Sequence, residues 1–422
     1  MTLPYARTAP AVTDFKPPKP NRAFIRGMRL VNLFYGLWRA KLVCDARDLE
    51  KLRRLPPGVI ITPNHSDYAD AMVVTELGRR ADRYFNFMAT RESFDAGHGL
   101  HGLAMQWLGG FSVNRGGENG RCQQVAKDVV KAGRYDLLIF PEGEIYLLND
   151  LVMPFKPGVA MLALDVANEN AKEGRSDKPV TIVPVAIKYR YLVDILPAVR
   201  ETVERLEATI FGGPRPGALY DRISALGVEL LNRKEQEYGL RPDPAGDLYA
   251  RVEAVRKHLL ETLERRYLGK VRDEFAFDRA RRLIIHILEE LAHLEGRADL
   301  PEHEKAAAAA DLRRDLGWAQ TAARSVSFAE DYLIAQPTPE RLAETLAKLE
   351  REVYGREAFP PKAKRRATVK IGDPIDVRGY LAEYAERRLR KEAILRLVRD
   401  LQQSIQSMLD ALNVETDGEP PR

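Results

Sequence analysis

The chain has 422 residues, 45% of them hydrophobic and 30% charged, with seven histidines, two cysteines and a formal net charge of +5. That is long enough for a sizeable core and for two domains, and its mild basic excess suits an anionic membrane surface or a phosphorylated substrate. Aromatic and basic residues are not interleaved in a nucleic-acid-binding motif, and Cys44 and Cys122 make neither a metal spacing nor a disulfide framework, so the expected setting is a reducing cytoplasm without a nucleic-acid partner.

Residues 1–20 are polar and proline-rich, lack the apolar core of a secretory signal, and read as a disordered tail. No window holds the roughly 18 apolar residues that a membrane-spanning helix requires. Over residues 21–43 a helical period places Phe24, Met28, Val31, Tyr35, Trp38 and Leu42 on one stripe and Arg22, Arg26 and Arg29 opposite it. Such a helix either lies in a lipid interface with its arginines at the headgroups or packs on the domain core, and the pattern leaves both open.

The β-branched runs KLVCD and GVIIT read as strands, the second leading into NHSDYAD at residues 64–70. A helix is expected from about Asp67, capped by Ser66 or Asp67, with Ala69, Met72, Val73 and Leu77 inward. His65 and Asp70 are five residues apart, which on one helix would set them about 140° apart. They can meet only if His65 lies in the loop and folds back onto Asp70. A neutral imidazole beside a carboxylate is a general base for a hydroxyl, with the carboxylate fixing the tautomer and stabilising the imidazolium.

RYFNFMA, GGFSV, DLLIF and TIVPVAIKY are further strand candidates, separated by a glycine-rich stretch and a helix at about residues 121–132. Alternating strands and helices indicate an α/β sheet with its site at the carboxyl ends of the strands. Beyond Tyr191 long charged helices take over, for example residues 247–268 and 278–295, with no fixed-period repeat in view. ATVKIGDPIDV then returns to strand character, and an amphipathic helix runs over about residues 379–412 before a disordered tail at 413–422. The organisation read from this is an α/β domain over 21–190, a helical insertion over 191–366, and a closing strand and helix of the first domain over 367–412.

NHSDYAD, GGFSVNR (109–115), FPEG (140–143) and IVPVAI (182–187) occur in the order and at the separations of the glycerolipid acyltransferase family, and the chain resembles its lysophosphatidic acid acyltransferase or PlsC-like members. The resemblance covers about residues 21–190 and resumes at 367. It implies a mixed sheet flanked by helices, here with a large all-α insertion, and transfer of an acyl group from acyl-CoA or acyl carrier protein to a hydroxyl of a lysophospholipid or glycerol phosphate. His65 and Asp70 fall on the family's catalytic pair, Arg115 on its phosphate-binding arginine, Glu142 and Gly143 on its acceptor-lining positions, and Pro184 on the proline of the last motif. No resident cofactor or metal is implied, the thioester being a co-substrate. The expected partners are the acyl donor, the acceptor and a membrane surface met peripherally on the cytoplasmic side, with the insertion left as a site for a protein partner.

The chain departs from the family in two places. After FPEG, Glu144, Ile145 and Tyr146 stand where relatives usually carry threonine, arginine and serine, which keeps open a non-phosphorylated acceptor. The insertion matches nothing recognised, which keeps open an idle lipid-binding or scaffold protein. Among other residues, Glu290 and His293 with His286 lack the second copy that a carboxylate-bridged metal site needs. His98 and His101 sit in a glycine-rich loop, and Cys122 has no histidine motif to make it a nucleophile.

Overall fold

The computed structural model describes residues 15–95, 99–113, 120–175, 177–242, 246–297, 299–329, 332, 337–356 and 358–414, with the backbone alone at 33–39 and 92. Two compact units are present. One holds the described residues of Phe15–Val113, Asn119–Ile195 and Pro361–Arg422, the other those of Leu196–Pro360.

The first unit runs α1 (Arg22–Arg39), β1 (Ala40–Cys44), α2 (Ala46–Arg54), β2 (Ile60–Pro63), α3 (Asp70–Ala81), β3 (Phe85–Thr90), α4 (Leu100–Trp107), β4 (Gly110–Val113), α5 (Gly120–Ala132), β5 (Asp136–Leu138), α6 (Gly158–Lys172) and β6 (Thr181–Tyr191). The second supplies α7 (Leu196–Phe211), α8 (Leu219–Glu237), α9 (Leu248–Leu268), α10 (Ala276–Glu295), α11 (Glu302–Ser325) and α12 (Pro339–Tyr354). The chain then returns to the first through β7 (Arg365–Ile371), β8 (Ile375–Asp376), α13 (Leu381–Ala385) and α14 (Arg390–Val414).

The eight strands form one mixed sheet in the order β1-β7-β6-β2-β5-β3-β4, with β8 also on β6. β2 is parallel to both β6 and β5, whereas β7 is antiparallel to β6. Both faces are buried. Ile60, Ile182 and Ala186 pack with α5, α6 and α14 on one side, and Ile61, Val183, Val185 and Ile187 pack with Val73, Val74 and Leu77 of α3 on the other. This period of two explains why the strand sequences read as continuous apolar runs. Pro184, inside a central strand, is tolerated because its carbonyl accepts from Gly372 N–H on the β7 side, just past the end of β7. The donor that the ring removes falls one residue beyond the last β6–β7 pair, Val185 with Ile371, where the ladder ends.

Several expectations are corrected. The helix read over residues 21–43 ends at Arg39, and Leu42 is buried in β1. Its inward face is Ile25, Arg29 and Asn32. Arg29 is buried, donating to the carbonyl of Arg83 and lying 4.3 Å over the Tyr84 ring, while Leu30 and Val31 are 59% and 55% exposed. The arginine row faces the domain because Tyr84, Tyr135 and the Arg83 carbonyl offer it partners. The side chains of Tyr35 and Trp38 lie outside the described residues. Of the tail read at 1–20, residues 15–20 are pinned: Lys16 exchanges hydrogen bonds with Ser112 (2.8 and 3.0 Å), and Lys19 and Asn21 donate to Gln106 and Trp107 carbonyls, both at 2.9 Å. The proline-rich strap thus covers β4, the edge strand, whose free backbone groups would otherwise template pairing. The helix read at 379–412 is broken between α13 and α14. β7 starts at Arg365, two residues before the strand read at 367, and α2 was not read at all.

In the helical unit a repeat is present after all. Glu207, Glu235 and Glu264, each buried near the end of one helix, receive Arg222, Arg251 and Arg279 from the fourth position of the next, each through two N–H···O bonds of 2.6–3.0 Å. The glutamates and the arginines recur every 28 or 29 residues, and each arginine follows an aromatic by two: Tyr220, Tyr249 and Phe277. In the first and third clasps the glutamate also accepts a loop N–H, from Arg215 (3.1 Å) and Arg272 (3.2 Å). The period escaped notice because only the clasp recurs, the intervening faces being free to vary. Leu259, Leu263, Leu283, Ile287, Ala319 and Ala322 are among the apolar residues of this unit's core. Glu264→Ala, which leaves the half-buried Arg279 guanidinium and the Arg272 N–H without their acceptor, is expected to lower the unfolding free energy by about 1–3 kcal/mol in urea titration. Glu261→Ala removes surface pairs with the exposed Arg265 (2.8 Å) and Lys257 (4.0 Å) and is expected to cost about 0–1 kcal/mol. Equal small losses would show that the clasps do not hold the helices together.

Candidate active site

β2 ends at Pro63 and delivers Asn64 to the carboxyl edge of the sheet. The Asn64 side chain acts as one more rung of the ladder: its Oδ1 accepts from Ile187 N–H (2.7 Å) and its Nδ2 donates to Ile187 C=O (3.0 Å), both on β6. The next residue, His65, is thereby fixed where the chain turns into α3. Its imidazole stacks on Phe140 at 4.1 Å between ring centres, and its Nδ1 lies 2.9 Å from Asp70 Oδ2. With Asp70 ionised, Nδ1 carries the proton and Nε2 is left as the basic nitrogen. Among the described residues Nε2 has no hydrogen-bond partner, and the side chain is 18% exposed.

Asp70 is the first residue of α3 and has no solvent exposure. Burial pushes its pKa up, an effect opposed by the bond to His65. Its Oδ2 also accepts from Asp67 N–H (2.9 Å) and its Oδ1 from Tyr189 O–H (2.7 Å). Tyr189 is itself held well above the usual phenol range, chiefly by burial and then by the charge of Asp70, so it is a neutral donor. Asp67 does not cap the helix. Its oxygens accept from Ala69 N–H (2.8 Å) and from both arms of Arg365 (2.7 and 2.9 Å), and the Arg365 guanidinium lies 4.5 Å over the Tyr189 ring.

Glu142 sits beneath the same loop. Its two oxygens accept from the backbone N–H of His65 (2.7 Å) and of Met153 (3.2 Å), so the buried carboxylate ties two segments together rather than presenting itself to the cleft. Burial pushes its pKa up to about 7. A carboxyl raised in the folded state favours folding most below its unfolded pKa, and this contribution is lost as pH rises through about 7. Gly143 has φ +69°, and a Cβ there would stand 2.7 Å from Cε of Lys156, so the turn needs glycine. Pro184 is in β6 opposite Thr62, on the sheet below the loop.

Of the residues singled out from sequence, His65, Asp70, Glu142, Gly143 and Pro184 lie at or beneath this carboxyl edge. Arg115 and His98 are outside the described residues. His101 is exposed on α4, and of the helical trio Glu290 and His293 are exposed while His286 meets Tyr267 edge-on at 5.6 Å. Among the described residues no three His, Cys, Asp or Glu side chains are arranged to hold a metal ion. Burial raises the thiols of Cys44 and Cys122 to about 11, which leaves them unreactive at neutral pH. Sequence reasoning missed Phe140 as the stacking partner of His65, and also Tyr189, Arg365 and the pairing of Asp67. Only Asp67 and Phe140 sat inside motifs already singled out. Tyr189 and Arg365 carried no local signal.

This geometry can remove a proton from a hydroxyl: an oriented imidazole with one nitrogen bound to a buried carboxylate and the other free. No curated protein matches the chain. Residues 45–188 match the family model described as Acyltransferase. These residues run from the start of α2 almost to the end of β6 and contain His65, Asp70, Glu142, Gly143 and Pro184. The chain therefore carries an acyltransferase domain of the glycerolipid acyltransferase family, which includes the PlsC-like proteins.

Proposed function

We propose that this acyltransferase moves a fatty acyl group from acyl-CoA or acyl carrier protein to a hydroxyl of a lysophospholipid or glycerol phosphate, as a step of phospholipid synthesis. The observation that carries the reading is the His65–Asp70 contact of 2.9 Å with Nε2 free, inside the matched stretch. His65 Nε2 takes the hydroxyl proton as the acceptor oxygen attacks the thioester carbonyl. Asp70 stabilises the imidazolium that forms. Collapse of the tetrahedral intermediate breaks the C–S bond, the imidazolium returns the proton to the departing sulfur, and the products are an ester and a free thiol. General-base catalysis of this kind contributes on the order of 10² to 10⁴ in rate. No resident cofactor is required.

Arg115, two residues beyond the end of β4, is the residue we assign to the acceptor phosphate, which suits a bidentate guanidinium contact. A second reading, a non-phosphorylated amphiphile as acceptor, is favoured by Glu144, an acid immediately after FPEG, which folds back to accept from Ile145 N–H at 3.1 Å.

No helix among the described residues is long and apolar enough to cross a membrane. The lipid surface is instead proposed to be met peripherally, on the cytoplasmic face, by an apolar patch. Leu30 and Val31 of α1 are exposed, and Phe24 meets Trp107 of α4 edge-on at 5.2 Å. Leu100, Leu103 and Trp107 form an exposed stripe at helical spacing on α4. Because Arg22 and Arg26 are laid on Tyr84 and Tyr135, the attraction is mainly apolar. Burying a large side chain fully contributes about 1.5–3 kcal/mol, and partial insertion less.

Purified His65→Ala is expected to retain its melting temperature and lose at least about 10²-fold in the transfer of labelled palmitoyl-CoA to lysophosphatidic acid. Asp70→Asn should fold and lose much of kcat, since an amide does not stabilise imidazolium. Near-normal turnover by His65→Ala would overturn the mechanism.

Arg115→Ala should raise the acceptor KM or lower kcat/KM by a few kcal/mol at most while the KM for palmitoyl-CoA stays put. Equal wild-type turnover of lysophosphatidic acid and of monoacylglycerol would favour the second reading.

In flotation with phosphatidylglycerol vesicles the wild type should float at low and moderate salt, and Leu30→Glu/Leu103→Glu should not. Equal flotation of both would remove this patch as the docking surface.

A further inference from the structure

Tyr189 lies two residues past IVPVAI and Arg365 far from every family motif, yet Tyr189 binds the Asp70 oxygen that His65 leaves free and Arg365 packs on Tyr189. β6 and β7 pair antiparallel with Tyr191 opposite Arg365 and Tyr189 opposite Ala367, so Tyr189 and Arg365 are diagonal neighbours at the carboxyl edge. From there Tyr189 O–H donates to Asp70 Oδ1 at 2.7 Å, leaving Oδ2 for His65 Nδ1 and Asp67 N–H. Arg365 covers the Tyr189 ring and grips both oxygens of Asp67, the residue whose backbone N–H meets Asp70. Asp70 is thus held by three donors from two segments, the loop after β2 and β6, with a fixed cation one residue further out.

Resting on the acyl-transfer reading above, we propose that Tyr189 and Arg365 are positioning residues of the reaction: Tyr189 directs the free edge of the Asp70 carboxylate toward His65 Nδ1, and Arg365 locks the Asp67 turn and the Tyr189 ring that make this possible. Neither touches substrate. Their effect reaches the chemistry through the orientation and basicity of the dyad.

The ionisable groups facing this cluster are His65 and Asp67 from the loop, Glu142 from the segment after β5, Tyr189 and Tyr191 from β6, and Arg365 from β7. Tyr189 O–H and the Arg365 cation both draw negative charge away from the dyad. Removing either leaves Asp70 a stronger partner for imidazolium, so His65 protonates more readily and the acid limb of the rate profile moves to higher pH.

The experiment measures thiol release from palmitoyl-CoA with 1-oleoylglycerol 3-phosphate as acceptor, for wild type, Tyr189→Phe, Arg365→Lys and His65→Ala, each checked for melting temperature. Tyr189→Phe, which keeps the ring under Arg365 and removes one hydroxyl, is expected to lower kcat by about tenfold. Both KM values should stay within about twofold, and the acid limb of kcat/KM should move upward. Arg365→Lys, which keeps the charge but loses the fork, should lower kcat with little movement of that limb. Unchanged kcat and unchanged pH profile in Tyr189→Phe overturn the proposal, as does a fall in kcat that accompanies a lowered melting temperature with no shift of the limb. Activity retained by His65→Ala would instead bring down the acyl-transfer reading itself, whereas an inactive His65→Ala beside a wild-type-like Tyr189→Phe sinks only this inference.

Discussion

A carboxylate without solvent, Asp70, sets the terms for the whole carboxyl edge of the sheet. Taking an ionised group out of water costs several kcal/mol unless donors replace the lost hydration, and here they come from two separate stretches of chain. His65 and the Asp67 N–H belong to the loop after β2, and Tyr189 to β6. Arg365, from β7, secures Asp67 in turn. The requirement therefore ties residues 65, 70, 189 and 365 into one arrangement, and the fold accepts the burden of a carboxyl whose pKa burial pushes up. A solvated aspartate would have been easier to fold and a weaker partner for an imidazolium.

β6 carries much of this arrangement because it is longer than the strand beside it. β2 stops at Pro63, and the outward-facing backbone of β6 would continue unpaired past that point. Two asparagines take over: Asn64 pairs with both backbone groups of Ile187, and Asn149 does the same for Tyr189, at 2.7 and 2.8 Å. Side-chain amides carry the same donor and acceptor as a peptide, so they extend the ladder without a strand. The consequence is functional. His65 follows one amide directly, and the loop after FPEG, which contains the other, is held against the strand that offers Tyr189.

Buried carboxylates also organise the helical unit, to a different end. Glu207, Glu235 and Glu264 each meet an arginine fork from the next helix, so their charge is matched and turned into a fastening. Near His65 the carboxylates of Asp70 and Glu142 receive hydrogen bonds but no guanidinium, and both pKa values rise. For Glu207 the hydrogen bonds from Arg222 outweigh burial and its pKa falls. Leu192 N–H and Lys364 C=O, 3.0 Å apart, close the point where the chain leaves and re-enters the sheet unit, so a long helical stretch can be spliced there without disturbing the pairing of Tyr191 with Arg365.

Local pattern determined what kinds of element the chain makes and where its chemistry gathers. β-branched apolar runs gave the strands of the sheet, and NHSDYAD placed a histidine in a loop next to an aspartate that opens a helix, because turn, cap and period are properties of neighbouring residues. The family motifs were legible for the same reason. Which face of α1 looks inward was not. Its amphipathic stripe was visible, but the partners that draw Arg29 inside, Tyr84 and the Arg83 carbonyl, lie more than fifty residues away. Nor could sequence show that Glu142 holds the His65 backbone, or that Asp67 grips Arg365 instead of capping α3. Tyr189 and Arg365 are ordinary residues in an apolar strand and a basic run, and they acquire a role only when antiparallel pairing of β6 with β7 sets them side by side above a buried carboxylate. Periodicity is a local property that sequence records directly, whereas the partners of a buried charge are chosen by strand order and register, which only the folded sheet decides.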